Sequence, residues 1–206
     1  MNWIADNAGW ISPLASVLTL LVWVVYLQLF LMTYLRQRRT EILISIGAGR
    51  GLGARCFVAN LGMEPIYISD ILLTVGAGDQ QHRAAVTECN EVPREDLNTP
   101  ASATNQGPLR AAQSHDIGAF DTLIARARNA TGAPLAESDL RELRVLVIGW
   151  TASTATLVAA ERSFDIVADT STPNGAPRVR PNDLRTHQIR SFFVRRRLQR
   201  EMAERL

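Results

Sequence analysis

Residues 13–35 read PLASVLTLLVWVVYLQLFLMTYL, and this stretch decides the architecture of the chain. It is the apolar core of residues 7–35, a segment without a single charged side chain. A helix rises about 1.5 Å per residue, so the stretch can reach roughly 35 Å, more than the hydrocarbon core of about 30 Å. We therefore predict one N-terminal transmembrane helix, with the rings of Trp10 and Tyr34 near the two membrane interfaces.

A buried helix and a signal peptide fit the apolar segment less well. A helix that is buried in a soluble protein rarely stays uncharged over such a length. A cleaved signal peptide has a basic region before a shorter apolar run and a small-residue cleavage site after it, and neither is evident around this segment. The sequence therefore favours a membrane anchor, and residues 1–39 are assigned to the N-terminal tail and this transmembrane helix.

Arginine sets the predicted orientation of this helix. The only side-chain charge before it is Asp6, whereas Arg36, Arg38 and Arg39 follow it directly. Because positive residues stay on the cytoplasmic side, the N-terminus is predicted to lie outside and the rest of the chain in the cytoplasm. All 22 basic residues are arginine, a bias typical of GC-rich bacterial genomes, so the expected location is a bacterial inner (plasma) membrane.

One polar side chain, Gln28, lies well within the predicted span. A glutamine in hydrocarbon gains roughly 1 kcal/mol from a hydrogen bond across a helix–helix contact. We therefore predict an intramembrane helix contact at Gln28. The alternative, equally open at this point, is that its side chain reaches towards the cytoplasmic interface.

The next part of the chain, residues 40–169, has the texture of a mainly-β domain. β-Branched and aromatic residues are concentrated at 66–75, 143–150 and 156–167. Strands at this spacing, without regular helices between them, favour an antiparallel sandwich of immunoglobulin-like character. The alternation predicts a core that contains Phe57 or Cys56, Ile68, Leu72 or Leu73, Val145 or Val147, and Phe164.

Charge separates this domain from the end of the chain. Residues 40–179 hold 11 arginines and 16 acidic residues, a net charge of −5, whereas residues 180–206 hold 8 arginines and 3 acidic residues, a net charge of +5. Residues 170–181 contain three prolines and are predicted to be a linker. Residues 182–206 are predicted to form a basic amphipathic helix whose apolar stripe consists of Val194, Leu198, Met202 and Leu206.

Several roles remain open for this basic helix. It docks on the acidic domain through its apolar side, or it lies on the anionic inner leaflet, or it binds a partner helix. Nucleic acid is the less favoured partner. The residues predicted to contact a membrane surface or a partner are Arg36, Arg38, Arg39, Arg195, Arg196, Arg197 and Arg200.

Motifs that carry catalytic or metal chemistry are weak in this chain. The absence of lysine excludes a P-loop lysine and a Schiff base. The glycines of residues 47–53 have the spacing of a dinucleotide-binding turn, but the next residues are β-patterned and too few for the helix that such a turn requires. Ser114, His115 and Asp116 are adjacent in sequence and so cannot face one another as a triad, and Asp116 is predicted to cap a helix over residues 118–130.

These observations lead to one predicted function and one alternative. The chain is predicted to be a non-enzymatic single-pass membrane protein without a cofactor or metal site, whose β-sandwich is a scaffold or accessory-subunit interaction module. The alternative is a subunit of a homo-oligomeric membrane assembly, such as a pore. The expected partners are the lipid bilayer, with anionic headgroups as candidate contacts, and a membrane-protein partner or a second copy of the chain.

Overall fold

A computed structural model describes residues 8–37, 40–78, 80–89, 103–136, 139–168 and 176–204. The chain falls into two compact units, Met1–Arg39 and Thr40–Leu206. Each contains its own regular secondary structure.

The first unit contains helix α1, Ala8–Gln37. Within it, Pro13–Tyr34 is long and apolar enough to cross a membrane, and none of its described side chains is buried. The helix begins several residues before Pro13, which lies inside it. A proline costs least near a helix N-terminus, where few backbone donors are needed.

The second unit is a mainly antiparallel β domain with two α-helices. Its elements, in chain order, are β1 (Ile42–Ile46), a 3-10 turn (Gly51–Gly53), β2 (Arg55–Asn60), β3 (Ile66–Ala77), β4 (Gln80–Ala85), β5 (Gly107–Leu109), β6 (Ser114–Ala119), α2 (Phe120–Thr131), β7 (Leu140–Thr151), β8 (Leu157–Ala168), β9 (Pro177–Pro181), β10 (His187–Gln188) and α3 (Phe192–Ala203).

The strands form two sheets. The small sheet has the order β1-β2-β6. The large sheet is built on the long strands β3, β7 and β8, which pair side by side. Strands β4 and β5 both pair with the outer edge of β3, and β9 and β10 both pair with the outer edge of β8. The predicted hairpin of residues 143–150 and 156–167 is confirmed, since β7 and β8 pair along their length.

The main hydrophobic core lies on one face of the large sheet, called here the front face. It is formed by apolar side chains of β3, β7 and β8 that pack with those of the small sheet and α2. The predicted burial is confirmed: Cys56, Ile68, Leu73, Val145, Val147 and Phe164 lie in this core, and Leu72 is buried on the opposite face of the sheet.

The opposite face of the large sheet, called here the back face, is also apolar over part of its area. Leu72, Leu146, Ile148, Leu157 and Ala159 form a second buried cluster on it together with Leu198 of α3. The domain therefore has three layers: the small sheet with α2, the large sheet, and α3.

Two boundaries near the end of the chain differ from the sequence-based expectation. Residues 177–181, predicted as part of a linker, form β9 and pair with residues 164–168 of β8. Its prolines stand at the two ends of an edge strand, which is where a sheet tolerates the missing N–H. The helix predicted from residue 182 begins only at Phe192, because residues 187–188 pair with β8 first.

The predicted helix cap at Asp116 is wrong. Helix α2 begins after Ala119, which makes no side-chain cap hydrogen bond. Asp116 lies in β6, where its Oδ1 accepts a hydrogen bond from the Gly118 amide at 3.0 Å and its Oδ2 pairs with Arg55. The carboxylate is therefore held by an arginine across the sheet instead of by a helix N-terminus.

Candidate functional site: the C-terminal helix

The segment before α3 is attached to the first strand of the domain by side-chain hydrogen bonds. The amide group of Gln188 accepts from the Ile42 N–H at 3.2 Å and donates to the Ile42 carbonyl at 2.6 Å. Thr186 Oγ1 accepts from the Ile44 N–H at 2.9 Å, and Arg162 donates to the Ile44 carbonyl. These bonds satisfy the outer edge of β1, which would otherwise present unpaired backbone groups.

Helix α3 packs on the back face through an inner side centred on Leu198. Leu198 is 6% exposed and contacts the apolar cluster of the large sheet, while Met202 and Ile189 are partly buried against the same cluster. The predicted stripe is therefore correct at Leu198 and Met202. Val194 is 43% exposed, and Leu206 lies outside the described residues.

Polar contacts at both ends fix the helix on the sheet. Near its start, the Ile189 N–H donates to the Ala159 carbonyl at 2.8 Å, and Arg195 Nε donates to the Ile189 carbonyl at 2.9 Å. Near its end, Arg83 Nη1 and Glu201 Oε2 form an ion pair at 3.1 Å. The helix thus runs over the large sheet from β8 towards β4, and this docking uses part of its charge.

The outer side of α3 combines aromatic rings with arginine. Phe192 and Phe193 are 68% and 83% exposed, and their ring centroids lie 6.0 Å apart in an edge-to-face arrangement. Arg196 and Arg200 follow Phe192 at intervals of four residues, so they lie on the same side of the helix. Both arginines are exposed, and their side chains form no hydrogen bond or ion pair with any residue that the structure describes.

The structure thus separates the four arginines that the sequence grouped as one basic surface. Arg195 is half-buried and bonded to the backbone, and Arg197 Nε is 3.2 Å from Glu201 Oε1 one turn later. Arg196 and Arg200 instead project with the two phenylalanines. We call Phe192, Phe193, Arg196 and Arg200 the outer face of α3.

The predicted membrane-proximal residues lie on or next to α1. Gln28 is exposed on the apolar helix, as are the stacked rings of Phe30 and Tyr34, whose centroids are 6.2 Å apart. Arg36 lies in the last turn of the helix, but its side chain is not among those described. Arg38 and Arg39 lie outside the described residues. The membrane contacts assigned to these residues stay predictions.

The glycine-rich turn after β1 does not lead into a helix of the dinucleotide-binding kind. Gly51–Gly53 forms a single 3-10 turn and strand β2 follows at once. A side chain at Gly47 would overlap the Phe57 ring, since a Cβ there would lie 2.0 Å from a ring carbon, and Gly49 has φ +120. These glycines are therefore required by close packing and backbone conformation.

The neighbouring residues His115 and Asp116 contact different partners and do not form a joint site. His115 Nε2 lies 3.3 Å from Asn105 Oδ1, whereas Asp116 pairs with Arg55. Within the described part of the chain, no group of three or more His, Cys, Asp or Glu residues is arranged to hold a metal ion. Cys56 and Cys89 are free thiols, and burial raises the pKa of Cys56 to about 12.

Sequence reasoning did not assign a role to the residues that attach α3 to the domain, or to those that distinguish its inner side from its outer side. The anchoring roles of Thr186 and Gln188 depend on side-chain bonds to a strand far away in sequence, for which no local pattern exists. The Phe192-Phe193 pair did carry a signal. Adjacent residues lie about 100° apart round a helix, so the stripe through Leu198 and Met202 cannot contain both phenylalanines.

Comparison with protein-family models and with curated proteins finds no match to this chain. The function is therefore inferred from the geometry of α1, the β domain and α3.

Proposed function

We propose that the chain is a non-enzymatic, single-pass protein of a bacterial inner membrane, and that its β domain is a cytoplasmic scaffold or accessory-subunit module. One observation carries the proposal. Helix α1 is apolar over Pro13–Tyr34, and all its described side chains in that span are exposed, whereas Thr40–Leu206 is a compact unit with its own core. Such an uncharged, uncovered helix is stable in hydrocarbon rather than in water.

The orientation in this proposal is supported by charge. Arg36, Arg38 and Arg39 follow α1, and Asp6 is the only charged side chain before it. The cytoplasmic side of a membrane retains such a positive cluster. Only four residues separate the end of α1 at Gln37 from the start of β1 at Ile42, so the domain stays tethered near the membrane surface.

An interaction role is supported by the surface of the β domain. Leu61 and Met63, in the loop between β2 and β3, are 56% and 70% exposed, and Tyr67 at the start of β3 is 48% exposed. Apolar side chains concentrated in one short segment are typical of a protein contact. We further infer that the domain is an immunoglobulin-like sandwich, an inference supported by two antiparallel sheets with a shared core.

Alkaline extraction of membranes tests the anchor. The native chain should stay in the membrane pellet at high pH. Replacing Leu21 and Val25 together by arginine should release much of it, because each arginine near the centre of a span costs about 2.5–3.5 kcal/mol of insertion free energy. The matched control replaces both residues by methionine and should stay embedded. Release of the native chain at high pH would contradict the proposal.

Site-specific photo-crosslinking tests the interaction module. A photoreactive residue at position 63, where Met63 is exposed, should give a discrete adduct in membranes, and one at the exposed Gln81 of β4 should not. Heterogeneous adducts of equal yield from positions 63 and 81 would contradict a specific contact at Met63.

A homo-oligomeric membrane assembly, such as a pore, is the second candidate, and Gln28 favours it. Its amide lies exposed on a helix whose neighbouring side chains are apolar, and a second copy offers it a hydrogen-bond partner worth roughly 1 kcal/mol. Native mass measurement in mild detergent should then show oligomers that weaken in Gln28→Leu. A monomer for both proteins would exclude this candidate.

A further inference from the structure

We propose that the outer face of α3, formed by Phe192, Phe193, Arg196 and Arg200, binds the anionic phospholipid surface of the membrane that α1 crosses. The inference rests on the proposed function, because it needs α1 in the bilayer. It goes further by assigning a ligand to one side of one helix.

The two sides of α3 have different surroundings. The inner side is occupied, since Leu198 packs on the back face, Glu201 pairs with Arg83, and Arg195 bonds to the Ile189 carbonyl. Docking on the domain therefore does not compete with a second contact. The outer face remains available while the helix stays in place.

The chemistry of the outer face suits a membrane surface. Phe192 and Phe193 expose 68% and 83% of their surface, and burying aromatic rings at the boundary between headgroups and acyl chains is favourable. Arg196 and Arg200 lie beside them without a partner among the described residues. Aromatic rings next to arginine on one side of a helix are typical of contacts with a negatively charged membrane surface.

Charge complementarity points the same way. Residues 180–206 carry a net charge of +5, and the part of the domain before them carries −5. An anionic membrane surface attracts the first and repels the second, so the field orients the domain with α3 towards the lipid. The anchor α1 keeps that surface within reach.

The experiment uses the full chain in lipid nanodiscs and follows a fluorophore at an exposed position of α3 next to Arg200. The environment-sensitive dye NBD is attached through Gln199→Cys, an exposed position three residues after Arg196, in a Cys89→Ser background. Cys56 can remain, because it is buried and burial raises its thiol pKa to about 12. The discs contain phosphatidylcholine alone or an equal mixture with phosphatidylglycerol.

The dye should brighten and shift to the blue in the anionic discs and change little in the neutral discs. Arg196→Gln with Arg200→Gln should lower the bound-to-free ratio about fivefold per arginine, thus about 25-fold for the pair. Arg110→Gln with Arg141→Gln removes the same charge from exposed positions outside α3 and should leave the signal unchanged. Phe192→Ser with Phe193→Ser should also weaken it, whereas Leu61→Ser with Met63→Ser should not.

The failure of this inference is distinct from the failure of the proposed function. If the chain enters the discs and resists alkaline extraction but the dye ignores lipid charge, only the lipid contact is overturned. The lipid contact is also overturned if replacing Arg196 and Arg200 has the same effect as replacing Arg110 and Arg141. It is overturned as well if the dye in neutral discs responds to added DNA or RNA instead of anionic lipid. If the chain is not retained in membranes, the proposed function fails and the lipid contact fails with it.

Discussion

The two faces of the large sheet are covered in different ways. The front face meets a whole second layer, the small sheet and α2, and its core includes fully buried aromatic rings such as Phe120 and Phe164, 5.1 Å apart in an edge-to-face arrangement. The back face meets a single basic helix whose one fully docked side chain, among the residues described, is Leu198. The front face therefore determines whether the domain folds. The back face positions a helix whose outer face is left for another contact.

Truncation of the front-face core should have the largest effect. Phe164 is 0% exposed, so Phe164→Ala should lower the free energy of unfolding by about 3–5 kcal/mol, the cost typical of a large buried ring. Chemical denaturation of the full chain in mild detergent, followed by circular dichroism, measures this loss. A change below about 1 kcal/mol would mean that the front face does not hold the domain together.

Truncation on the back face should cost less and act locally. Leu198→Ala should lower the stability by about 2 kcal/mol, at the lower end for a buried leucine, because a single docked helix can shift to fill the space. Hydrogen exchange should accelerate in α3 more than in β3 and β7. The control is Leu184→Ala, whose side chain is 98% exposed and should contribute nothing. Equal acceleration throughout the domain would contradict separate roles for the two faces.

High pH should lower the stability of the domain through the buried thiol of Cys56. Burial is the main cause of its high pKa, which is raised from 9.0 to about 12. Between these values the unfolded thiol ionises while the folded thiol stays protonated, so stability falls as pH rises, by roughly 1 kcal/mol per pH unit. Lysine titration cannot mask the effect, since the chain has no lysine. In Cys56→Ala the free energy of unfolding should not fall with pH in this way. An equal fall in both proteins would show that Cys56 is not its cause.

The ion pair that holds the end of α3 should contribute least. Arg83 and Glu201 are 3.1 Å apart with partly exposed side chains, and such pairs contribute up to about 1 kcal/mol. Arg83→Gln removes this pair and leaves the Arg197–Glu201 pair in place, so it should lower the stability by less than about 1 kcal/mol, and added salt should reduce even that difference. A loss as large as that of Leu198→Ala would mean that charge, and not apolar contact, docks the helix.

The front face could be predicted from the sequence to a large extent, because it depends on local alternation. The β7–β8 hairpin and the buried positions Cys56, Ile68 and Phe164 follow from runs of β-branched and apolar residues. The apolar helix α1 was equally accessible, since an uncharged stretch of this length is typical of a helix that can span a membrane.

The back face was harder to predict, although a signal for it existed. Strands β3 and β7 are apolar on both sides, with Leu72, Leu146 and Ile148 on the back, a pattern typical of a sheet covered on two faces. The start of α3 could not be predicted, because it depends on contacts that no local pattern encodes: β10 pairs with β8, and Gln188 bonds to Ile42 of β1, 146 residues earlier in the chain. The role of each arginine of α3 likewise depends on which side of the helix packs on the sheet, and the sequence alone did not specify that side.

The proposed cytoplasmic location of the β domain is tested most directly by reporter fusions. An alkaline phosphatase fused after Leu206 should be inactive and a cytoplasmic fluorescent reporter at the same position should be bright, because Arg36, Arg38 and Arg39 follow α1. Phosphatase activity with a dark fluorescent fusion would contradict the proposed orientation. It would place the domain outside, in an oxidising compartment, and remove α3 from the anionic cytoplasmic leaflet.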